Sequence, residues 1–270
     1  MRLFRARGRD DVSTPRPPLV PVVALVQAGR YAEAEVAARA LAESGSDLAP
    51  QALALAALAV GAQGRHDEAV AQYDALLPVF GRVFGAEHPQ TLLLRSNRAQ
   101  TLTALGRHAE CETECAAVAR AAARVRGPAR QRMTAAARNG HVFALNAQGR
   151  HREAERLARE ALAAHPTADR FALTLRLGLA RALNGQARHA EALTEARRAD
   201  KLNRRLPEEA RRAETGAVEL ALASALLGLG RHAEARPRAV SAHAACTATF
   251  GPDHYRTAEA RALLDRIDRA

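Results

Sequence analysis

The chain of 270 residues carries 40 basic and 29 acidic side chains, which gives a formal net charge of +11. Aromatic residues make up 3% of it and Trp is absent, so a core must come from Ala, Leu and Val on closely packed helices. The longest apolar run, 52–62, is too short for a membrane-spanning helix, and three cysteines exclude a disulfide scaffold and indicate a reducing cytoplasm.

The first 18 residues differ from the rest of the chain. They are basic, contain three prolines and match no later segment, so we expect a disordered tail over 1–18 and a folded region over 19–270. Arginines followed by an apolar stretch also suggest a secretory signal. Prolines interrupt that stretch, however, and Asp10 and Asp11 precede it, so we favour the tail.

From residue 19 onward a six-residue pattern recurs: Gly or Ala, Arg, His or Tyr, any residue, Glu, and a small residue. Successive copies lie 35 to 43 residues apart, the period at which helical hairpins stack into a solenoid and bury a core only against their neighbours. The six copies begin at Gly29, Gly64, Gly106, Gly149, Ala187 and Gly230.

Each repeat is predicted to consist of a helix A, the Gly-Arg turn and a helix B. The turn glycine ends helix A in a left-handed conformation; where Ala187 replaces it, we expect Gly185 to take that role. The Arg and Glu of the pattern lie near the end of helix A and the start of helix B, where their charges complement the helix dipoles. Residues 255–270 are amphipathic, and we expect them to cap the array.

Two positions of the repeat admit only small side chains or valine, as close contact between helices requires. They lie seven residues before the turn and five after it, whereas the position four before the turn carries Leu or Val. The first set is Val22, Ala57, Ala99, Val142, Ala180 and Ala223; the second is Ala34, Ala69, Cys111, Ala154, Ala192 and Ala235.

The turn glycine, the Glu-Ala pair and the small residue seven positions earlier resemble the tetratricopeptide repeat (TPR). The connections 84–92 and 250–258 are similar to those of kinesin-light-chain-like repeats. The resemblance implies an all-α fold, a right-handed α-solenoid of about six TPR helical hairpins with a C-terminal capping helix. The concave face of such solenoids usually binds peptides. The sequence departs from the family pattern at Arg95, Arg138 and Arg176, where a bulky aromatic residue is expected early in helix A.

Candidate chemistry is sparse. Five of the ten histidines occupy one repeat position, which favours a structural role over catalysis. His108, Cys111 and Cys115 share a helix face and would supply three zinc ligands, but free cysteine is also a small core residue, and we favour packing. There is no phosphate-binding glycine loop and no nucleophile elbow, so we predict neither an enzyme nor a metal or cofactor site.

The predicted partner site follows one stripe of helix A, at positions ten, six and three before each turn. This stripe is apolar in the first two repeats and polar in repeats three to five, where amides and one guanidinium suit hydrogen bonding to a peptide backbone. Arg181 adds a preference for an acidic side chain or a C-terminal carboxylate. Asn97 lies beside the stripe and resembles the asparagine of kinesin-light-chain-like repeats. The predicted binding residues are Ser96, Asn97, Gln100, Asn139, Phe143, Asn146, Arg181 and Asn184.

These observations predict a non-catalytic protein-protein interaction adaptor that binds a peptide segment of a partner in a bacterial-type cytoplasm. The alternatives are an Arg-rich binder of nucleic acid or another anionic surface, and a detached sensor domain of a regulatory system. We consider nucleic acid the weaker alternative, because the positive charge is spread along the sequence and Phe143 is the only aromatic residue on the stripe.

Overall fold

The computed structural model describes residues 17–127, 129–252 and 254–270. All regular structure in these ranges is helical: a 3-10 turn at Pro17–Leu19 precedes fourteen α-helices. The predicted tail, 1–18, lies outside the described residues except for Pro17 and Pro18 in that turn. The helices are α1 Val20–Gln27, α2 Tyr31–Glu43, α3 Ala49–Ala62, α4 His66–Val83, α5 Pro89–Ala104, α6 His108–Ala122, α7 Ala129–Ala147, α8 His151–Ala163, α9 Arg170–Gly185, α10 His189–Asn203, α11 Glu208–Arg212, α12 Ala217–Gly228, α13 His232–Phe250 and α14 Tyr255–Asp268.

The predicted hairpins are confirmed. Each copy of the pattern separates a helix A from a helix B, giving the pairs α1/α2, α3/α4, α5/α6, α7/α8, α9/α10 and α12/α13. The short helix α11 lies in the connection before the sixth repeat, and α14 follows the array as its predicted cap. Each helix packs chiefly on its neighbours in sequence, as a solenoid requires.

The five turn glycines have positive φ, but the expectation for the fifth repeat is wrong. Ala187 itself takes the left-handed conformation, with φ 58°, and Gly185 is the last residue of α9. Gly185 is needed for another reason, because a Cβ there would lie 2.3 Å from the ring of His151 in the preceding repeat. The sequence therefore places glycine where a neighbouring ring packs and accepts a strained alanine at the turn.

The small-residue register is also confirmed. All twelve residues at the two close-contact positions are buried, and the six that follow the turn, including Cys111, are completely inaccessible to solvent. Four residues before the turn, Leu or Val is buried in repeats two to six and half-buried as Leu25 in the first. Close helix contact thus explains the high alanine content of the chain.

The recurrent charges have a partner that the dipole argument did not anticipate. In all six repeats the turn arginine forms an ion pair with the pattern glutamate three residues later, in the first turn of helix B. The glutamates lie where predicted, at the positive end of helix B. Each arginine lies between the two helices, immediately before helix B, and its guanidinium bonds the glutamate.

The core is continuous in the second half of the array and divided in the first. One apolar cluster runs from Val142 to Ile267 and includes Leu263 of the cap helix. The first half contains five smaller clusters. Residues far apart in sequence also meet: Arg212 Nη1 donates to the carbonyl oxygen of Gln27 at 3.4 Å, so the connection before the sixth repeat reaches the end of α1.

Candidate partner-binding groove

Helices A line the inner face of the stack. Successive helices A pack on one another, as the pairs α5/α7, α7/α9, α9/α12 and α12/α14 show, whereas among the described residues helices B of neighbouring repeats do not pack closely together. In a curved stack, neighbouring helices on the inner face lie closer to one another than neighbouring helices on the outer face. The predicted stripe on α5, α7 and α9 therefore lies on the helices that line the concave face.

Two of the predicted binding residues are buried and form hydrogen bonds within the protein. Ser96 is buried and its hydroxyl donates to the carbonyl oxygen of Leu92 at 2.9 Å. Asn146 is 5% exposed; its Nδ2 donates to the carbonyl oxygen of Gly178 at 2.9 Å and its Oδ1 lies 3.2 Å from His151 Nδ1. Both side chains are therefore buried and bonded within the chain in this conformation.

Asn139 and Asn184 are half-buried and also bonded within the chain. Asn139 Nδ2 donates to Thr174 Oγ1 and thereby links helix A of repeat four to helix A of repeat five. Asn184 Oδ1 lies 3.1 Å from His189 Nδ1, the same asparagine-histidine contact that Asn146 makes one repeat earlier. The recurrent histidine is therefore a structural residue in repeats four and five, as the repeat position predicted.

The remaining predicted residues form an accessible surface. Gln100 and Arg181 are exposed, and Asn97 and Phe143 are half-buried. The Arg181 guanidinium lies over the Phe143 ring at 5.6 Å from its centroid, and its Nη2 is 3.0 Å from Glu259 in the cap helix. We call Asn97, Gln100, Phe143 and Arg181 the groove residues. A guanidinium held between an aromatic ring and a carboxylate is already oriented for ionic hydrogen bonding.

Sequence reasoning missed a polar clamp between neighbouring repeats. The residue before the turn and the turn arginine both bond a glutamate of the preceding helix B: Gln186 Nε2 and Arg188 Nη1 lie 2.8 and 2.6 Å from Glu155 Oε2. The same contacts join Gln63 and Arg65 to Glu35, and Gln148 and Arg150 to Glu112. Where leucine precedes the turn, as at Leu105 and Leu229, the glutamate is replaced by Val70 and Leu193. This pairing of polar with polar and apolar with apolar residues was readable from the sequence.

Ionic contacts explain two of the three departures from the family pattern, and nothing in the described structure explains Arg138. Arg95 and Arg176 pair across their hairpins with Glu114 and Glu195, at 2.5 and 2.9 Å. In the sixth repeat the charges are reversed, with Glu219 on helix A and Arg238 on helix B at 3.1 Å. An ion pair across the hairpin thus replaces aromatic packing at this position.

The cysteine pair on α6 packs as a core element. Cys111 and Cys115 are buried with their sulfur atoms 3.9 Å apart, and the hydrogen bond with the Cys111 thiol, together with burial, raises the pKa of Cys115. Within the described ranges, no group of three His, Cys, Asp or Glu side chains is arranged to hold a metal ion. In the same part of the chain, no helix combines the length and apolarity needed to cross a bilayer.

A stack of helical hairpins with its helices A on the inside defines an α-solenoid repeat protein. Family profiles described as tetratricopeptide repeat match residues 48–113, 134–165 and 220–256, which together are half of the chain. The chain belongs to the tetratricopeptide repeat proteins.

Solved structures agree with this assignment of the fold. The TPR-like repeats of a putative kinesin light chain from Podosopora anserina are 22% identical, with a TM-score of 0.52, and the match covers 74% of this chain and 95% of that one. PlcR of Bacillus thuringiensis, in complex with the peptide PapR7 and DNA, is 16% identical, with a TM-score of 0.60, and the match covers 83% of this chain and 76% of that one. A Rap protein complexed with Competence and Sporulation Factor is 13% identical, with a TM-score of 0.63, and the match covers 93% of this chain and 74% of that one. The comparison with curated proteins gives no match.

Proposed function

We propose that this protein is a non-catalytic interaction scaffold that binds a peptide segment of a partner protein along its concave face. The observation that carries the proposal is the oriented, exposed guanidinium of Arg181 on the inner helices, stacked on Phe143. Gln100 adds an exposed amide two helices A away, and Asn97 lies beside it on α5. Amides and a guanidinium bond a peptide backbone or carboxylate without demanding particular side chains.

The partner segment is proposed to carry a carboxylate, either on an acidic side chain or at its C-terminus. Support comes from Glu259, whose carboxylate already pairs with Arg181 in this structure. This pair is half exposed, at 48% and 39%, so exchange of Glu259 for a ligand carboxylate costs little desolvation. A PlcR structure with a bound peptide provides a precedent for peptide binding by a protein of similar fold.

The proposal is tested by selecting binders from a random peptide display library against the full chain and measuring their Kd by fluorescence anisotropy. Arg181→Gln should weaken the selected peptides about tenfold or more, since an ionic bidentate hydrogen bond is lost. Arg197→Gln on the exposed side of helix B removes the same charge and is the matched control. Peptides that bind both variants as tightly as wild type, or a failure to select any, would contradict a peptide-binding groove.

A bacterial cytoplasmic setting and the role of a detached sensor domain remain predictions from the sequence. The nucleic-acid alternative also remains a prediction from the sequence.

A further inference from the structure

Although the arginines are spread along the whole sequence, one segment has no acidic residue to offset them. Residues 115–152 contain eight arginines and no aspartate or glutamate, although the whole chain has 29 acidic residues. This segment spans the second half of α6, the connection to α7, α7 itself, and the turn that leads into α8. Five of its arginines lie in or beside the connection that joins repeats three and four, and four of these five are exposed without an ion-pair partner among the described residues. We call these four the arginine cluster: Arg120, Arg126, Arg130 and Arg132.

The segments 120–127 and 130–133, which carry the arginine cluster, are packed on the core by apolar side chains. Val125 in the connection and Met133 in α7 pack on the apolar cluster of Val118, Ala122 and neighbouring residues. The amide of Val125 donates to the carbonyl oxygen of Ala122 at 3.1 Å, which fixes the turn after α6. Because these side chains face inward, the adjoining arginines are left on the surface, and all four are exposed.

The arginine cluster lacks counterions. In the part of the chain that the structure describes, no carboxylate lies within 4 Å of any of its four guanidinium groups, whereas the neighbouring Arg124 pairs with Glu87. The turn arginines contrast with this, since Arg150 bonds both Glu112 and Glu153. Exposed arginines without an ion pair also occur elsewhere, as at Arg156 and Arg197, but here four of them lie within residues 120–132, which contain no acidic side chain, so a local excess of positive charge exists at this connection.

The neighbouring connections limit the size of the positive region. The equivalent connections carry Glu87 between α4 and α5 and Asp169 between α8 and α9, one repeat away on either side. A phosphate backbone following these connections would meet both carboxylates, and no aromatic residue lies between 115 and 142 to stack on bases. A short segment with a few carboxylates fits the space between them, because each guanidinium can bond a carboxylate through two hydrogen bonds.

We propose that the arginine cluster is a second docking surface, which binds a short acidic segment of a protein partner. It lies around the connection between α6 and α7, whereas the groove residue of α7, Phe143, lies about three helical turns further along that helix, so this surface is separate from the peptide groove. Its contribution is ionic and falls with salt, because exposed charges are screened over about 8 Å at physiological ionic strength.

The test uses the full chain, a fluorescein-labelled octapeptide with four glutamates, and a labelled 20-base-pair DNA duplex. The triple variant Arg126→Gln, Arg130→Gln, Arg132→Gln should weaken peptide binding about tenfold in anisotropy titrations at low salt, from three lost exposed ion pairs. Its melting temperature should equal that of wild type, because these side chains have no ionic partner in the described structure.

A charge-matched control distinguishes a local surface from net charge. Arg152→Gln, Arg156→Gln, Arg197→Gln removes three exposed arginines of helices α8 and α10 and should change binding less than twofold. Equal weakening by both triple variants would overturn the proposal in favour of a diffuse charge effect. Tighter binding of the duplex than of the peptide, lost in the cluster variant, would assign the surface to nucleic acid and also overturn it. Absence of peptide binding at low salt would do the same.

Discussion

At the scale of single residues, the main finding is that asparagines on the inner helices join repeats to one another. The backbone approach that allows this is close, since a Cβ at Gly178 would lie 2.7 Å from Val142 Cγ1. Asn146 can therefore reach the carbonyl oxygen of Gly178 on the next helix A. A polar residue on a concave stripe can thus be a structural bond between repeats and not a contact for a ligand.

Asn146→Ala is expected to lower the free energy of unfolding by about 1–3 kcal/mol, because the carbonyl oxygen of Gly178 and the ring of His151 lose their partner. Urea denaturation followed by circular dichroism measures this. The control is Asn97→Ala, at a half-buried position that makes no side-chain hydrogen bond in the described structure. If the two variants are equally stable, Asn146 is not a structural residue.

Ala187→Gly is expected to stabilise the protein. Alanine at φ 58° costs about 1–2 kcal/mol, of which the greater freedom of glycine in the unfolded chain cancels part, leaving a gain of about 0.5 kcal/mol. The reciprocal variant Gly149→Ala creates the same strain one repeat earlier and should destabilise. The melting temperatures of both variants test this. A lower melting temperature for Ala187→Gly would contradict the left-handed conformation of residue 187.

At the scale of helices, ends and interfaces are specified by side chains that recur with the repeat. His88 and His254 are equivalent: each precedes a helix A and accepts a hydrogen bond at Nδ1 from the amide two residues on, at 3.3 and 3.2 Å. This capping requires a neutral ring. Stability therefore depends on the protonation of histidines that the sequence marked as a repeated loop position.

The protein is expected to lose stability as the pH falls from 6.5 towards 4. Burial and the nearby charges of Arg256 and His66 lower the pKa of His254 to about 4, so below 6.5 the unfolded chain binds a proton that the folded one does not. Burial lowers the pKa of His88 in the same direction. His254→Asn keeps a capping side chain without a titrating group and should flatten the dependence of melting temperature on pH. An unchanged pH profile would contradict this role.

The polar clamp between repeats four and five predicts a compensating pair of substitutions. Burial alone would raise the pKa of Glu155, but hydrogen bonds from Gln186 and Arg159 and the charge of Arg188 hold its pKa below the usual value. Glu155→Leu removes this acceptor and should lower the melting temperature. Adding Gln186→Leu reproduces the leucine pair found at Leu193 and Leu229 and should restore most of the loss. Additive losses in this double-mutant cycle would show that the two positions are not coupled.

At the scale of the whole molecule, the two halves of the array differ in how their cores are built. A solenoid has no single central core, so local stability follows the continuity of apolar contacts from repeat to repeat. The cluster from Val142 to Ile267 joins repeats four to six and the cap helix. Nearer the N-terminus, α1 has only eight residues, and the core there consists of small separate clusters.

Native-state hydrogen exchange should show this difference. Amides of α9, α10 and α12 are expected to exchange only through global opening, whereas those of α1 and α2 open locally at lower free energy. Leu263→Ala in the cap helix, at a buried position, should reduce protection in α12 and α13 more than in α3. Uniform protection along the chain would contradict a core of unequal continuity.

The sequence by itself determined the repeat, its helices, the turn glycines and the small-residue register, because these features depend on contacts within one hairpin that recur at a fixed spacing. The sequence also encodes the pairing between neighbouring repeats, in which a Gln–Glu pair is replaced at other repeats by a pair of apolar residues. Only the tertiary structure decided which stripe residues are free. Asn146 is buried and Arg181 exposed although both lie on the same stripe, because the approach of the next helix A, the position of the cap helix and the curvature of the stack depend on residues far apart in sequence.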